Sequence, residues 1–290
     1  MAPKKPDDPK SIEGKATALE ISKRREAEIK ESNARFDAAA KDAETLPRQM
    51  PLFPEEMRVI PNYLARTPLF GAIKPGNRRH VDNEVLASPN GVMIRYSGPQ
   101  LDSADGDVFF QLVHLGRGKT MGEPLTIVLS KFLTELRRDT GGENYAWLKK
   151  SLERLQGARL AIEGSRYKVT TNFVLRLEED KQEKIFQVFL DPAMVDAFGP
   201  KDVTFVNWQK RLQIEKQVPL SKWLLSYISS HERGLQHWRL AYLKELYGYT
   251  SPVRRFRPIL KEALRQLEDL EIISGWDLYE NDTKVRYTRL

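Results

Sequence analysis

Apolar positions recur at helical spacing in two separated blocks of the chain, and each block ends in residues of strand type. The first opens with the amphipathic stretch VFFQLVHLG, Val108 to Gly116, followed by a turn at Gly116–Gly118. LTIVLSKFLTELRRD comes next, helical in its second part, and then a turn at Thr140–Gly142. In YAWLKKSLERLQGARLAIE, Leu148, Leu152 and Leu155 stand at i, i+4 and i+7, one face of a helix. Lys149, Lys150, Glu153 and Arg154 fall on its other faces. Two strand-like runs, RYKVTTNFVLRLE and KIFQVFLD, follow, separated by the polar EEDKQE. Helices closed by a hairpin of this kind predict a winged helix.

The second block repeats the pattern. PLSKWLLSYISSH and WRLAYLKELYG predict two helices and TSPVRRFRPILKEALRQLEDLEII a third. WDLYENDTKVRYTRL predicts two short strands around an Asn-Asp turn. In the third helix, Phe256, Leu260, Leu267 and Leu270 form the stripe expected to be buried, and Arg254, Lys261 and Arg265 share another face. Arg255 and Arg257 add charge near the N-terminal end, where a recognition helix meets base edges in the major groove. Thr250 or Ser251 is expected to cap the start, with Pro252 in the first turn. Pro258 has no N–H for an interior helical bond, so a bend or a later helix start is expected. Lys149, Lys150 and Arg154 are the corresponding basic set of the first block. Any one of these cations read alone is a solvated surface charge; their clustering points to a polyanionic partner.

The chain is therefore read as α+β, with two winged-helix domains in tandem at residues 57–200 and 201–290 behind a tail at 1–56. Its 290 residues, 40% of them hydrophobic, suffice for two cores. The first 56 residues contain no Trp or Tyr, and the charged, alanine-rich run from Ile12 to Glu44 lacks the material for a core. A disordered or transiently helical tail is expected there. Lys and Arg total 47 against 40 Asp and Glu, net +7, and the sequence pI is about 9.4. Residues 1–56 hold 11 against 12, which leaves 36 against 28 in the remainder, so the basic excess sits in the part expected to fold. Such a balance favours nucleic acid or an acidic membrane. With no cysteine, disulfides and thiolate metal sites are excluded. MAPKKPDDPK has no apolar signal core and LTIVLSKFL is too short to cross a bilayer, so a cytoplasmic location is expected.

Enzymatic chemistry finds no purchase. HLGRGKT ends like a phosphate-binding loop, but the position of the loop's first glycine is Val113. His80, His114, His231 and His237 form neither an H-x-H nor an HExxH pair, and Glu178-Glu179 lies in the expected wing turn. No catalytic residues, metal site or cofactor are assigned. Trp147, Trp208, Trp223, Trp238 and Trp276 are read as core. RQMPLFPEE, residues 48–56, sets Leu52 and Phe53 among prolines and charges. It is either a short anchor for a partner or a cover for an edge of the first domain.

In QMPLF at 49–53, MRVIPN at 57–62, ARTPLF at 65–70, GEPLT at 122–126, LERLQ at 152–156 and SSH at 229–231, the sequence resembles the TrfA family of iteron-binding plasmid replication initiators. The resemblance runs in one order from about residue 48 to 290. It implies binding as a monomer to repeated double-stranded sites at an origin, melting of an adjacent AT-rich segment with exposure of single-stranded DNA, and a homodimer that dissociates. It further implies the host initiator DnaA, the helicase DnaB and the sliding clamp as partners. QMPLF resembles a clamp-docking peptide, in which Gln49 would hydrogen-bond at a groove while Leu52 and Phe53 fill its apolar pocket. The other reading from the residues is a tandem winged-helix transcriptional repressor, which would use the same basic helices without a clamp peptide. An enzyme of plasmid maintenance is a third.

Overall fold

The computed structural model describes residues 49–290 apart from 72, 74–76, 89–91, 165–167, 195–197, 199–202 and 216–217. Of the tail expected at 1–56, the residues before Gln49 lie outside the described residues. The chain enters through β1 (Met57–Pro61) and the short α1 (Asn62–Ala65), whose Val59, Ile60, Leu64 and Ala65 are buried. β2 (Phe70–Gly71), β3 (His80–Leu86), β4 (Met93–Pro99) and β5 (Leu101–Asp102) lead to α2 (Ser103–Leu115). Asp102 starts that helix: its carboxylate accepts from the N–H groups of Ala104 and Asp105, and the Asp105 carboxylate accepts from the Asp102 N–H, a reciprocal cap.

Next come β6 (Leu125–Val128), α3 (Leu129–Glu135), α4 (Gly142–Gln156), β7 (Arg159–Glu163), β8 (Lys168–Asn172), β9 (Val174–Asp180) and β10 (Ile185–Leu190). β6, β10 and β9 form a three-stranded antiparallel sheet with β10 in the middle. Leu148, Leu152 and Leu155 of α4 are fully buried, as their spacing required. The second half runs β11 (Val203–Asn207), α5 (Trp208–Gln213), α6 (Pro219–Ser229), β12 (Gly234–Arg239), α7 (Leu240–Leu246), α8 (Val253–Asp269), β13 (Ile273–Tyr279) and β14 (Lys284–Arg289). Its sheet has the order β12-β14-β13, again with the last strand central. Both halves thus follow helix, strand, helix, helix and a closing hairpin, the winged-helix plan, with β7 and β8 inserted ahead of the first hairpin.

Three expectations are corrected. RYKVTTNFVLRLE is not one strand: it breaks at the buried Phe173, and its parts join different sheets, β8 pairing with β7 and β9 with β10. WRLAYLKELYG does not begin as a helix, because Trp238 and Arg239 belong to β12, whose residues alternate between half-buried and exposed. A four-stranded sheet, β3-β4-β7-β8, was not expected at all. Its edge strand β3, HVDNEVL, is almost wholly exposed and therefore carries no alternation of apolar and polar residues.

The two halves are joined by buried polar groups as well as packing. β1 pairs antiparallel with β11, from Met57 opposite Asn207 to Pro61 opposite Val203. Arg211 of α5, only 2% exposed, donates through Nε to Asp107 of α2 at 2.7 Å, and Lys222 of α6 donates to the other Asp107 oxygen. Burial alone would raise the Asp107 pKa, but the two cations more than offset it and hold the carboxylate below its ordinary range. Two segments that carried the family resemblance also meet here. Arg66 of ARTPLF donates to the Oγ and the carbonyl of Ser230 in SSH, and Trp223 Nε1 donates to the Thr67 carbonyl at 2.8 Å.

Candidate nucleic-acid interface

α8 is the most amphipathic element with a basic face. Phe256, Leu260, Ala263, Leu264 and Leu267 are fully buried, against α6, α7 and β13; Leu270 is the C-terminal cap and only half-buried. Neither Thr250 nor Ser251 caps the start. Pro252 holds the N-cap position with no side-chain hydrogen bond, and the helix begins at Val253. The later start expected from Pro258 is not adopted either. Pro258 sits early in α8 and is exposed, so the Arg254 carbonyl it leaves without a helical partner lies where water can serve it.

On the outer side, Arg254, Arg255 and Arg265 are exposed. Arg254 and Arg255 have no ion-pair partner among the described residues, whereas Arg265 lies 3.4 Å from Glu262. Arg257 and Lys261 are half-buried and turn toward the β13–β14 wing: Arg257 Nη2 donates to the Asn281 carbonyl at 3.3 Å, and Lys261 Nζ is 3.7 Å from Asp282. Glu280, Asn281 and Asp282 all have positive φ, near 50 to 58°, so the wing turn curls back over the helix. Arg257 Nε is buried with no hydrogen-bond partner among the described residues. Helix and wing therefore form one surface, a relation that residue spacing within α8 could not disclose.

The equivalent helix of the first half is more heavily compensated. Lys149 is ion-paired with Glu179 of β9, and Lys150 is exposed. Arg154 turns inward: its Nε is 3.1 Å from both oxygens of Asp105, which is fully buried and also receives Arg78 at 2.8 Å and Ser151 at 2.6 Å. Arg154 thus fixes α4 against α2. No local signal disclosed this, because Asp105 lies in the polar run DSADGD, residues 102–107, and looks like a solvated helix start.

QMPLF is laid onto the first half. Gln49 is exposed and bridges to Thr120, the Met50 N–H donates to the Lys119 carbonyl at 3.2 Å, and the Gly118 N–H donates to the Met50 carbonyl at 3.1 Å. Met50 is 1% exposed and Phe53 8%, while Leu52 is 82% exposed. The Phe53 ring lies 6.0 Å from that of His114, and its carbonyl accepts from Arg117 Nη1 at 2.9 Å. Burial, with Arg58 and Arg117 adding repulsion, lowers the His114 pKa to about 4. Burial also lowers His231 to about 4; its Nδ1 contacts the Tyr227 carbonyl at 2.7 Å, and His237 contacts the Tyr279 hydroxyl at 3.0 Å. Among the described residues no helix is long and apolar enough to cross a membrane.

Comparison with known proteins places this geometry. Residues 15–286 match a family model described as TrfA protein. Over 224 residues the chain is 27% identical to the plasmid replication initiator protein TrfA of Escherichia coli, covering 74% of this chain and 58% of that protein. The chain thus spans little more than half the length of that relative. Among solved structures, domains 2 and 3 of RctB superpose with a TM-score of 0.55 at 14% identity, covering 79% of this chain and 98% of theirs. The Pi initiator protein, crystallised in complex with iteron DNA, gives 0.54 at 14% identity, covering 81% and 97%. At such identity the likeness is one of fold. The family match extends through both winged helices and the strap that docks on the first of them, and the chain belongs to the TrfA family.

Proposed function

We propose that the protein is a plasmid replication initiator that binds repeated double-stranded DNA sites, iterons, at an origin. The observation that carries this reading is the surface made by α8 and its wing, where Arg254 and Arg255 stand exposed, without an ion-pair partner among the described residues, beside Arg257, Lys261 and Arg265. Supporting it, the Pi initiator protein of the same fold was crystallised with iteron DNA. α8 enters the major groove with its N-terminal arginines toward base edges, and the buried, unpartnered Arg257 Nε gives that side chain reason to re-aim once DNA supplies an acceptor. Lys149 and Lys150 of α4 contact phosphates about one helical turn away, so that the site covers roughly two turns. Arg154 serves that half by holding α4 in place.

The division at residues 57–200 and 201–290 is our proposed domain boundary, with β1 reaching across it to β11. Melting of an AT-rich segment, contact with its single strand, recruitment of DnaA and DnaB in the bacterial cytoplasm, and a homodimer that dissociates to bind as a monomer complete the proposal. The sliding clamp is bound through Gln49, Leu52 and Phe53. The family match favours initiation over repression of transcription, for which the same helices would serve.

Fluorescence anisotropy with the repeats of the plasmid's own origin and a scrambled duplex tests the reader. Arg254→Ala with Arg257→Ala should cost about 2 to 6 kcal/mol together, at least roughly a 30-fold loss on the cognate duplex. Undiminished cognate binding by that double variant would show α8 to be a solvated face.

A further inference from the structure

Resting on the clamp reading above, we propose that QMPLF is stored closed on the first half, and that binding to the clamp requires it to be released from the α2–β6 connection.

A peptide that fills one apolar pocket with adjacent Leu and Phe side chains must present both to the partner. In the docked strap they are divided: Leu52 points to solvent, and Phe53 points inward beside His114. Pro51 and Leu52 face out while Met50 and Phe53 face in, so one partner surface cannot take both Leu52 and Phe53 without moving the strap. Met50 is the most deeply buried residue of the strap, yet it occupies a position that the clamp motif leaves unspecified. It anchors the closed state. Three further contacts hold the strap down: the paired hydrogen bonds of Met50 with Lys119 and Gly118, and the Arg117 guanidinium that holds the Phe53 carbonyl and lies 5.8 Å from the centre of its ring. Gly118, with φ +69°, passes beneath Leu52 so closely that an added Cβ would stand 2.8 Å from Leu52 Cδ2. The strap is bounded on its other side by Met57, which opens β1, and by Arg58, bonded to Gln111. Release therefore frees the strap as far as Glu56, so that Gln49 reaches roughly 25 Å from Met57.

Closed and open forms compete for one peptide, so the apparent clamp affinity is the intrinsic affinity reduced by the open fraction. Met50→Ala separates the two because it removes the anchor and leaves Gln49, Leu52 and Phe53 unchanged. Purified clamp is titrated into the full chain and, separately, into a peptide spanning residues 47–57, each as parent and as Met50→Ala. The expected result is a peptide affinity unchanged within about twofold and a full-chain affinity raised about tenfold. Arg117→Ala, outside the peptide, should raise the full-chain affinity in the same direction and guards against a folding defect peculiar to Met50→Ala. Hydrogen exchange on the parent chain supplies the structural readout, with the Met50 and Gly118 amides losing protection when clamp is added. If the parent chain binds as tightly as the peptide and neither variant changes it, the mask is refuted while the clamp reading stands. Clamp binding with the Gly118 amide still protected refutes it as well. If the free peptide does not bind, both fall.

Discussion

Asp107→Ala is the substitution whose cost the structure specifies most closely. It removes the only carboxylate in contact with Arg211 and Lys222 among the described residues, and those cations have side chains just 2% and 12% exposed. Neither can reach water by a small rotation. Arg211 would retain bonds to the Lys222 carbonyl and Ser226 Oγ and its position over the Phe110 ring, but its charge would be uncompensated. Breaking a buried pair from one side costs about 3 to 5 kcal/mol, chiefly because the remaining charge is stranded. For a chain of this size that corresponds to a fall in Tm of roughly 6 to 20 °C. Scanning calorimetry or urea unfolding of the two proteins measures it. A companion variant sharpens the test: Asp107→Leu with Arg211→Met and Lys222→Met replaces all three charges by apolar groups and should recover most of the loss. A shift below about 2 °C for Asp107→Ala would refute the reasoning, since the cations would then be finding solvent or another partner.

Acidification should destabilise the fold between about pH 6.5 and 4. His114 and His231 have folded-state pKa values near 4, below the ordinary imidazole value, so in that window the unfolded chain takes up protons that the folded chain refuses. Each contributes a slope of at most about 1.4 kcal/mol per pH unit, and urea midpoints that stay level across that window would contradict it. Gly98→Ala should be poorly tolerated, because Gly98 has φ +133° and a Cβ there would stand 2.4 Å from the Gly157 carbonyl oxygen, which is backbone; a thermal midpoint equal to the parent's would rule out the clash. Lys149→Ala with Lys150→Ala should weaken cognate and scrambled duplexes alike and flatten the salt dependence by about one to two charges, with a smaller loss than the Arg254 and Arg257 pair. A sequence-selective loss in the salt series would assign α4 to base contacts instead.

What could be read in advance was whatever the periodicity of one element decides. Leu148, Leu152 and Leu155, and later Phe256, Leu260 and Leu267, announced buried stripes because each helix carries its own pattern. β3 announced nothing, since a strand exposed on nearly every residue has no period to read. Arg154 looked like a surface cation on the helical wheel; it turns inward because Asp105, on a helix many residues earlier, lies buried beneath it. Arg211 and Asp107 illustrate the same limit, for charge is a poor guide to burial when the compensating group is remote in sequence. Met50 and Phe53 escaped a firm assignment because prolines and charges around them read as unfolded, and only docking on the first half, with Phe53 beside His114 and Arg117, makes them part of a core. Arg257 and Lys261 were rightly grouped on α8, but their relation to the wing required a hairpin turn of three left-handed residues.

The pairing of β1 with β11 bears on the order in which the molecule can assemble. During synthesis β1 leaves the ribosome ahead of the first winged helix, yet its partner is made only after that whole unit has emerged. Until then Met57–Pro61 presents unpaired N–H and C=O groups and a buried-type sequence, the kind of edge that invites association with other chains. Closing so distant a contact is slow because the loop entropy is lost before the pairing is gained. A nascent chain halted near residue 200 thus keeps a sticky edge, and emergence of β11 is the step that covers it.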